Sequence, residues 1–140
     1  MYTKPFLKWA GGKYRILAKI FQELPTDVRF VEPFAGSCAV YLNVDFPVAL
    51  VSDLNSDLIN LYRHIQEEGE AFIQYCASFF TLENNTRSGY LALRDRLNAS
   101  TETRERSALL LYVNRHAFNG LIRYNSKVCQ IVYARVYPYP

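Results

Sequence analysis

Phe30-Val-Glu-Pro-Phe-Ala-Gly-Ser-Cys38 and, about fifteen residues further on, Val51-Ser-Asp-Leu-Asn55 carry the decisive pattern of this chain. Residues 29–34 are mainly apolar and give way to a small-residue turn and then to Ala39-Val-Tyr-Leu42, the order strand, tight turn, helix. Such a junction makes a ligand site. A loop containing Gly36 lets backbone N–H groups come close to a bound group, and the helix that follows adds the positive end of its dipole. Residues 48–51 read as a second, short buried strand that ends near Asp53. A carboxylate at a strand terminus of a doubly wound sheet takes the hydroxyls of a cofactor ribose. Standing before Asn55 and Ser56, Asp53 also fits a helix cap. The spacing suits one β-α-β unit, but the G-x-G-x-x-G fingerprint is absent, which favours a cofactor with a ribose and no pyrophosphate over a dinucleotide.

With 140 residues the expectation is a single unit large enough to bury its own core. Half of the residues are apolar or aromatic and 21% are charged, the balance of a globular chain. The net charge of +3 leans only mildly towards a polyanion partner. Cys38, Cys76 and Cys129 are odd in number, widely spaced and without a C-x-x-C pair. This argues against a disulfide framework or a metal site and for buried thiols in a reducing compartment. No apolar run approaches the roughly 18 residues of a membrane span and the N-terminus lacks a signal-peptide core, so a cytoplasmic protein is expected.

Lys8-Trp-Ala-Gly-Gly-Lys13 opens the chain, and Ile16, Leu17, Ile20, Phe21 and Leu24 then recur at helical spacing until Pro25. Gly11 and Gly12 can present N–H groups to a ligand, Lys13 can meet a carboxylate, and Trp9 is either a core aromatic or a stacking surface. A short helix is expected over 38–43. Another begins at Ser56, capped by Ser56 or Asn55, with Leu58, Ile59, Leu61, Tyr62 and Ile65 on its apolar face. After Gly69 a helix over 70–80 buries Phe72, Ile73, Tyr75, Cys76 and Phe79. Residues 81–88 are a polar connection, Tyr90 to Asn98 suggests a further helix, and residues 104–114 a strongly apolar one.

Residues 115–125 gather Arg115, His116, Asn119, Arg123, Tyr124 and Asn125 around Phe118 and Leu121. Arginine can read guanine, asparagine can read adenine, and an aromatic can wedge between bases. The same residues also fit a helix C-terminus with a tight Asn119-Gly120 bend and solvated arginines.

Four motifs stand in one order: Lys8-Trp-Ala-Gly-Gly-Lys13; Glu32-Pro-Phe-Ala-Gly36; Ser52-Asp-Leu-Asn-Ser-Asp-Leu-Ile59 with Leu61-Tyr62; and Asn114-Arg-His-Ala-Phe-Asn-Gly-Leu-Ile-Arg-Tyr-Asn125. Over residues 4–127 they resemble the N-terminal half of the Dam-type DNA adenine-N6 methyltransferases, which use S-adenosylmethionine. The resemblance implies an α/β fold, a partial Rossmann-like methyltransferase sheet with an inserted helical DNA-recognition region. It divides the chain into a cofactor-binding part (1–55), a helical target-recognition region (56–127) and a degenerate hairpin or extended tail (128–140).

By the resemblance, S-adenosylmethionine lies against Trp9, Ala10, Gly11, Gly12 and Lys13, against Glu32, Pro33, Phe34, Gly36 and Ser37, and against Asp53 and Leu54. Double-stranded DNA carrying a GATC-like site meets Arg115, Phe118, Asn119, Leu121, Arg123, Tyr124 and Asn125, with Phe118 at the base stack and Arg123 on guanine. His116 is assigned no role and is expected solvated or facing DNA. Cys38 and Ala117 stand where the family has glycine. Cys38 is expected to crowd the cofactor and Ala117 to resist a positive φ, while Arg135 is a faint echo of a family arginine. No catalytic residue is assigned, because the family's Asp-Pro-Pro-Tyr is missing and Tyr137-Pro-Tyr-Pro140 has the wrong order and no carboxylate. The expectation is a shortened methyltransferase inactive alone, with a separate C-terminal half as a possible partner. A catalytically silent DNA-binding module and a non-functional remnant are the alternatives.

Overall fold

Alternation along Phe30-Val-Glu turns Phe30 and Glu32 inward and Val31 outward, forming β1 (Phe30–Glu32). In the computed structural model, which describes residues 1–25, 29–124 and the backbone of 131–133, β1 pairs in parallel with β2 (Ala49–Val51). The register sets Phe30 beside Ala49, Val31 beside Leu50 and Glu32 beside Val51. A 3-10 turn, Lys13–Ile16, leads into α1 (Leu17–Glu23), which ends where Leu24 becomes extended ahead of Pro25. Leu17, Phe30 and Val40 form the core here, with Ile20, Phe21 and Phe46 packed against it. The Phe30 and Phe46 rings stack at 5.3 Å.

Two expectations fail in this part of the chain. The second strand is not buried: Leu50 is 58% exposed because its neighbour in the ladder is Val31, itself 49% exposed, on the face opposite Phe30. Residues 38–43 are not an α-helix but a run of turns closing as a 3-10 helix, Tyr41–Asn43. Cys38 has φ +55, and a left-handed residue cannot continue a right-handed helix.

The chain divides into two compact units, Met1–Asn55 and Ser56–Pro140. In the second, α2 (Ser56–Glu68) and α3 (Glu70–Ala77) meet at Gly69, whose φ of +54 is a glycine conformation. Thr86 caps α4 (Arg87–Ala99) by accepting the Gly89 N–H at 3.1 Å, so the helix starts earlier than its apolar pattern. The most apolar sequence becomes α5 (Thr103–His116), with Leu109, Leu110, Tyr112 and Val113 wholly buried. Leu58 and Leu61 from α2, Phe72 and Cys76 from α3, and Tyr90 and Leu97 from α4 complete the interior at helical spacing. Ile73 does not join them and is 50% exposed, lying about 100° around the helix from the Phe72–Cys76 stripe. Burial pushes the Cys76 thiol up to about 11, which leaves it protonated and inert.

Past α5, a 3-10 turn at Phe118–Gly120 leads to β3 (Arg123–Tyr124), paired antiparallel with β4 (Ile131–Tyr133). Asn125, Cys129, Arg135 and Tyr137-Pro-Tyr-Pro140 lie outside the described residues. Among the described residues no helix is long and apolar enough to cross a membrane, and no group of His, Cys, Asp or Glu could hold a metal ion.

One buried ion pair ties the helices together. Asp57 in the first turn of α2 accepts both Arg106 Nε and Nη2 at 2.7 Å, and Arg106 Nη1 donates to the Leu97 and Ser100 carbonyls. Removing one partner strands a charge that is largely out of water, so Asp57→Ala is expected to cost about 3–5 kcal/mol, measured by urea unfolding. A loss under 1 kcal/mol would show that water reaches Arg106 freely.

Candidate functional site

The loop after β1 is built around a buried carboxylate. Glu32 is only 4% exposed. Its Oε1 accepts Lys13 Nζ at 3.1 Å and its Oε2 accepts the Tyr41 N–H at 3.1 Å. Lys13 Nζ also donates to the Phe34 carbonyl. One side chain thus joins the Trp9–Lys13 segment, the Pro33–Phe34 corner and the Tyr41 turn, and the cation makes its burial tolerable.

Asp53 plays the matching part below β2. Its Oδ2 accepts the Gly36 N–H at 2.9 Å and its Oδ1 accepts the Asn55 N–H at 3.0 Å. The carboxylate therefore braces the loop and caps the turn, while each oxygen keeps a further lone pair. The backbone N–H groups behave differently from expectation. Gly36 N–H is turned to Asp53, Gly12 N–H closes a turn onto the Trp9 carbonyl at 3.1 Å, and the three-residue 3-10 helix after the loop offers little dipole. Gly36 earns its identity otherwise: its φ is +52, and a Cβ would lie 3.0 Å from Trp9 Cδ1.

These contacts leave a pocket of about 220 Å³. Trp9, Ala10, Gly11, Gly12 and Lys13 line one side, and Phe34, Ala35, Gly36, Ser37 and Asp53 the other. Of the expected cofactor residues, Glu32 supports the pocket from beneath, while Pro33 and the fully exposed Leu54 are not in its lining. Ala35 is the lining residue that was not singled out beforehand. Cys38 is absent from the lining and only 2% exposed, so its side chain does not face this pocket. Its φ of +55 gives another reason for glycine at that position: backbone conformation.

The 115–124 segment leaves α5 with Arg115, Phe118, Asn119 and Arg123 exposed and with Leu121 and Tyr124 half-buried. Asn119 and Gly120 take φ values of +52 and +67, the tight bend their residue types favour. Asn114, buried in α5, donates its Nδ2–H to the Gly120 carbonyl at 3.1 Å and holds that bend. A polar residue on an otherwise buried helix face was the available signal for it. Ala117 has φ −75 and no positive φ to resist, contrary to expectation.

His116 is neither solvated nor outward-facing. It is 4% exposed, packs on Tyr112 at 4.1 Å, and donates Nδ1–H to the Tyr112 carbonyl at 2.9 Å. Burial, helped by the Arg115 charge, lowers its pKa although the carbonyl contact opposes the shift. The ring borders a second cavity, about 340 Å³, with Phe80, Leu82 and Arg115.

A mixed fold of helices and a small parallel sheet, with a loop-lined pocket at the carboxyl ends of its strands, is compatible with an α/β methyltransferase. The chain belongs to the family of D12 class N6 adenine-specific DNA methyltransferases, whose family profile matches residues 9–140. It is 45% identical over 124 residues to the DNA adenine methylase of Vibrio cholerae, covering 89% of this chain and 45% of that protein. Identity to the DNA adenine methylase of Haemophilus influenzae is 46% over 126 residues, 89% of this chain and 44% of that one. For the Escherichia coli K12 protein of the same name it is 42% over 123 residues, 88% and 44%. The chain therefore spans less than half the length of these relatives.

Gly36→Ala is expected to destabilise the first unit by about 1–2 kcal/mol through its left-handed backbone, and more if Trp9 cannot move away. Trp9 is the chain's single tryptophan, so a shift in its emission reports the displaced ring. An unchanged spectrum and unfolding midpoint would refute the contact.

For His116, the folded pKa lies below the ordinary 6.5, so the unfolded chain takes the proton first. Its contribution is intact well above pH 6.5, declines as pH falls through that value, and is fully lost only below the depressed folded pKa. The lowered carboxyls of Glu68 and Glu105 act at lower pH, below their ordinary 4.5. Thermal melts between pH 7.5 and 5.5 should fall for the native protein and flatten for His116→Gln; parallel slopes would count against a neutral buried ring.

Proposed function

We propose that this chain is the cofactor- and target-binding part of a DNA adenine-N6 methyltransferase, acting on duplex DNA with a GATC-like site in the cytoplasm. The observation that carries the reading is the convergence of Trp9, Lys13, Gly36 and Asp53 on one pocket. S-adenosylmethionine suits these groups and would supply an electrophilic methyl group. Trp9 offers a flat apolar wall, and Asp53 retains acceptor capacity for two ribose hydroxyls. Lys13 has a third N–H beyond those given to Glu32 and Phe34, directed to a ligand carboxylate. The volume, below the roughly 300–1,000 Å³ of complete small-molecule sites, suits one end of such a cofactor.

In this reading residues 1–55 are part of a Rossmann-like sheet and residues 56–127 its inserted target-reading region. Arg123 reads guanine, Phe118 enters the base stack, and Arg115 and Asn119 meet the duplex beside them. The 140 residues contain no Asp-Pro-Pro-Tyr, the element that holds the target amino group in the family. In this reading a separate C-terminal half supplies that element; the matched region covers 45% of the Vibrio cholerae relative. Residues 1–140 by themselves then bind without transferring methyl groups.

Calorimetric titration with S-adenosylmethionine should show binding that Asp53→Ala and Trp9→Ala each weaken by about 1–3 kcal/mol. Wild-type binding indifferent to both changes would move the cofactor elsewhere; absent binding would favour a catalytically silent DNA-binding module. Competition between GATC and scrambled duplexes at fixed salt tests the target. Arg123→Ala should lose about 1–3 kcal/mol of discrimination. Equal losses on both duplexes would make Arg123 a phosphate contact.

A further inference from the structure

We infer that Tyr124 is a positioning residue that fixes Arg123 through the buried Asp57–Arg106 pair. This rests on the proposed reading of Arg123 as the guanine contact. β3 is only two residues long and its ladder is interrupted by a register shift between Arg123 and Tyr124, so main-chain pairing alone anchors it weakly. In an extended pair, adjacent side chains point to opposite faces. Here Arg123 is exposed and Tyr124 half-buried.

The Tyr124 hydroxyl donates to Asp57 Oδ2 across 3.4 Å, a long contact to a charged acceptor. Asp57 cannot follow a moving hairpin. Both its oxygens are held by Arg106 at 2.7 Å, and Arg106 is itself tied to the Leu97 and Ser100 carbonyls at 2.7 and 2.9 Å. The segment therefore has an anchor at each end: Asn114 on the Gly120 carbonyl at entry, and Asp57 on the Tyr124 hydroxyl at exit. Arg123 projects from the side away from the second anchor. Tyr124 acts on DNA through its neighbour, without contacting the duplex through its hydroxyl.

The test is Tyr124→Phe, which removes the hydroxyl and keeps the ring, compared with Arg123→Ala and the native 140-residue chain. In DNA-free protein, hydrogen exchange at the Arg123 and Tyr124 amides should accelerate by about two- to tenfold, the scale of one hydrogen bond, while α5 amides stay unchanged. Preference for GATC over a scrambled duplex should fall by a similar factor. Unaltered exchange overturns the anchor whatever DNA does. Equal loss of affinity on both duplexes would make the hydroxyl a direct backbone contact and also overturn it. Accelerated exchange with discrimination insensitive to Arg123→Ala would leave the anchor standing and overturn the guanine-reading role instead.

Discussion

Everything around the candidate cofactor site depends on the burial of the Glu32 carboxylate against Lys13. An ionised carboxylate removed from water is tolerable only when a cation and hydrogen-bond donors replace its hydration. Here Lys13 and the Tyr41 N–H do so, and both are distant in sequence from each other. Satisfying one charge therefore fixes the position of two loops at once. The Lys13 contact with the Phe34 carbonyl then sets the corner on which Phe34 and Gly36 face Trp9. The net stability from such a pair is small, but the penalty for leaving either member alone makes the geometry specific.

The second unit repeats this principle with different parts. Asp57 and Arg106 are both largely withdrawn from solvent, and the guanidinium also satisfies carbonyls at the end of α4. A planar five-donor group can serve a carboxylate and two carbonyls simultaneously, which an ammonium could not do with the same geometry. Apolar burial sets the overall stability of these helices. The ion pair sets where the first turns of α2 and α5 and the last turn of α4 lie, and the Tyr124 hydroxyl reaches the same carboxylate.

The N–H groups of two loop glycines are turned inward. Gly36 and Gly12 spend their backbone donors on Asp53 and Trp9, and these bonds hold the two loops in shape. The glycine at 36 is explained by proximity to the indole ring and by φ, whereas Cys38 accepts a left-handed conformation at the cost of strain.

The order strand, turn, second strand and then helices was legible from local patterns, since apolar periodicity and the breaks at Pro25 and Gly69 are short-range properties. So was the set of motifs, and with it the family. The resemblance also grouped Trp9, Lys13, Gly36 and Asp53 at one site, but not their division of labour. That Glu32 supports the pocket from below, that Leu54 points to solvent, and that Leu50 is exposed follow from register and from which face the core occupies. His116 looked like a surface group because its neighbours are polar; its burial comes from Phe80 and Tyr112, and Phe80 lies 36 positions away in the chain. Asp57 and Arg106 are 49 residues apart, and no periodicity links them. Local sequence determined the elements and the chemical inventory of this protein, because helix, strand and turn preferences act over a few residues. Tertiary structure decided which charges are buried and what they hold, because desolvation and pairing are settled only when distant segments meet.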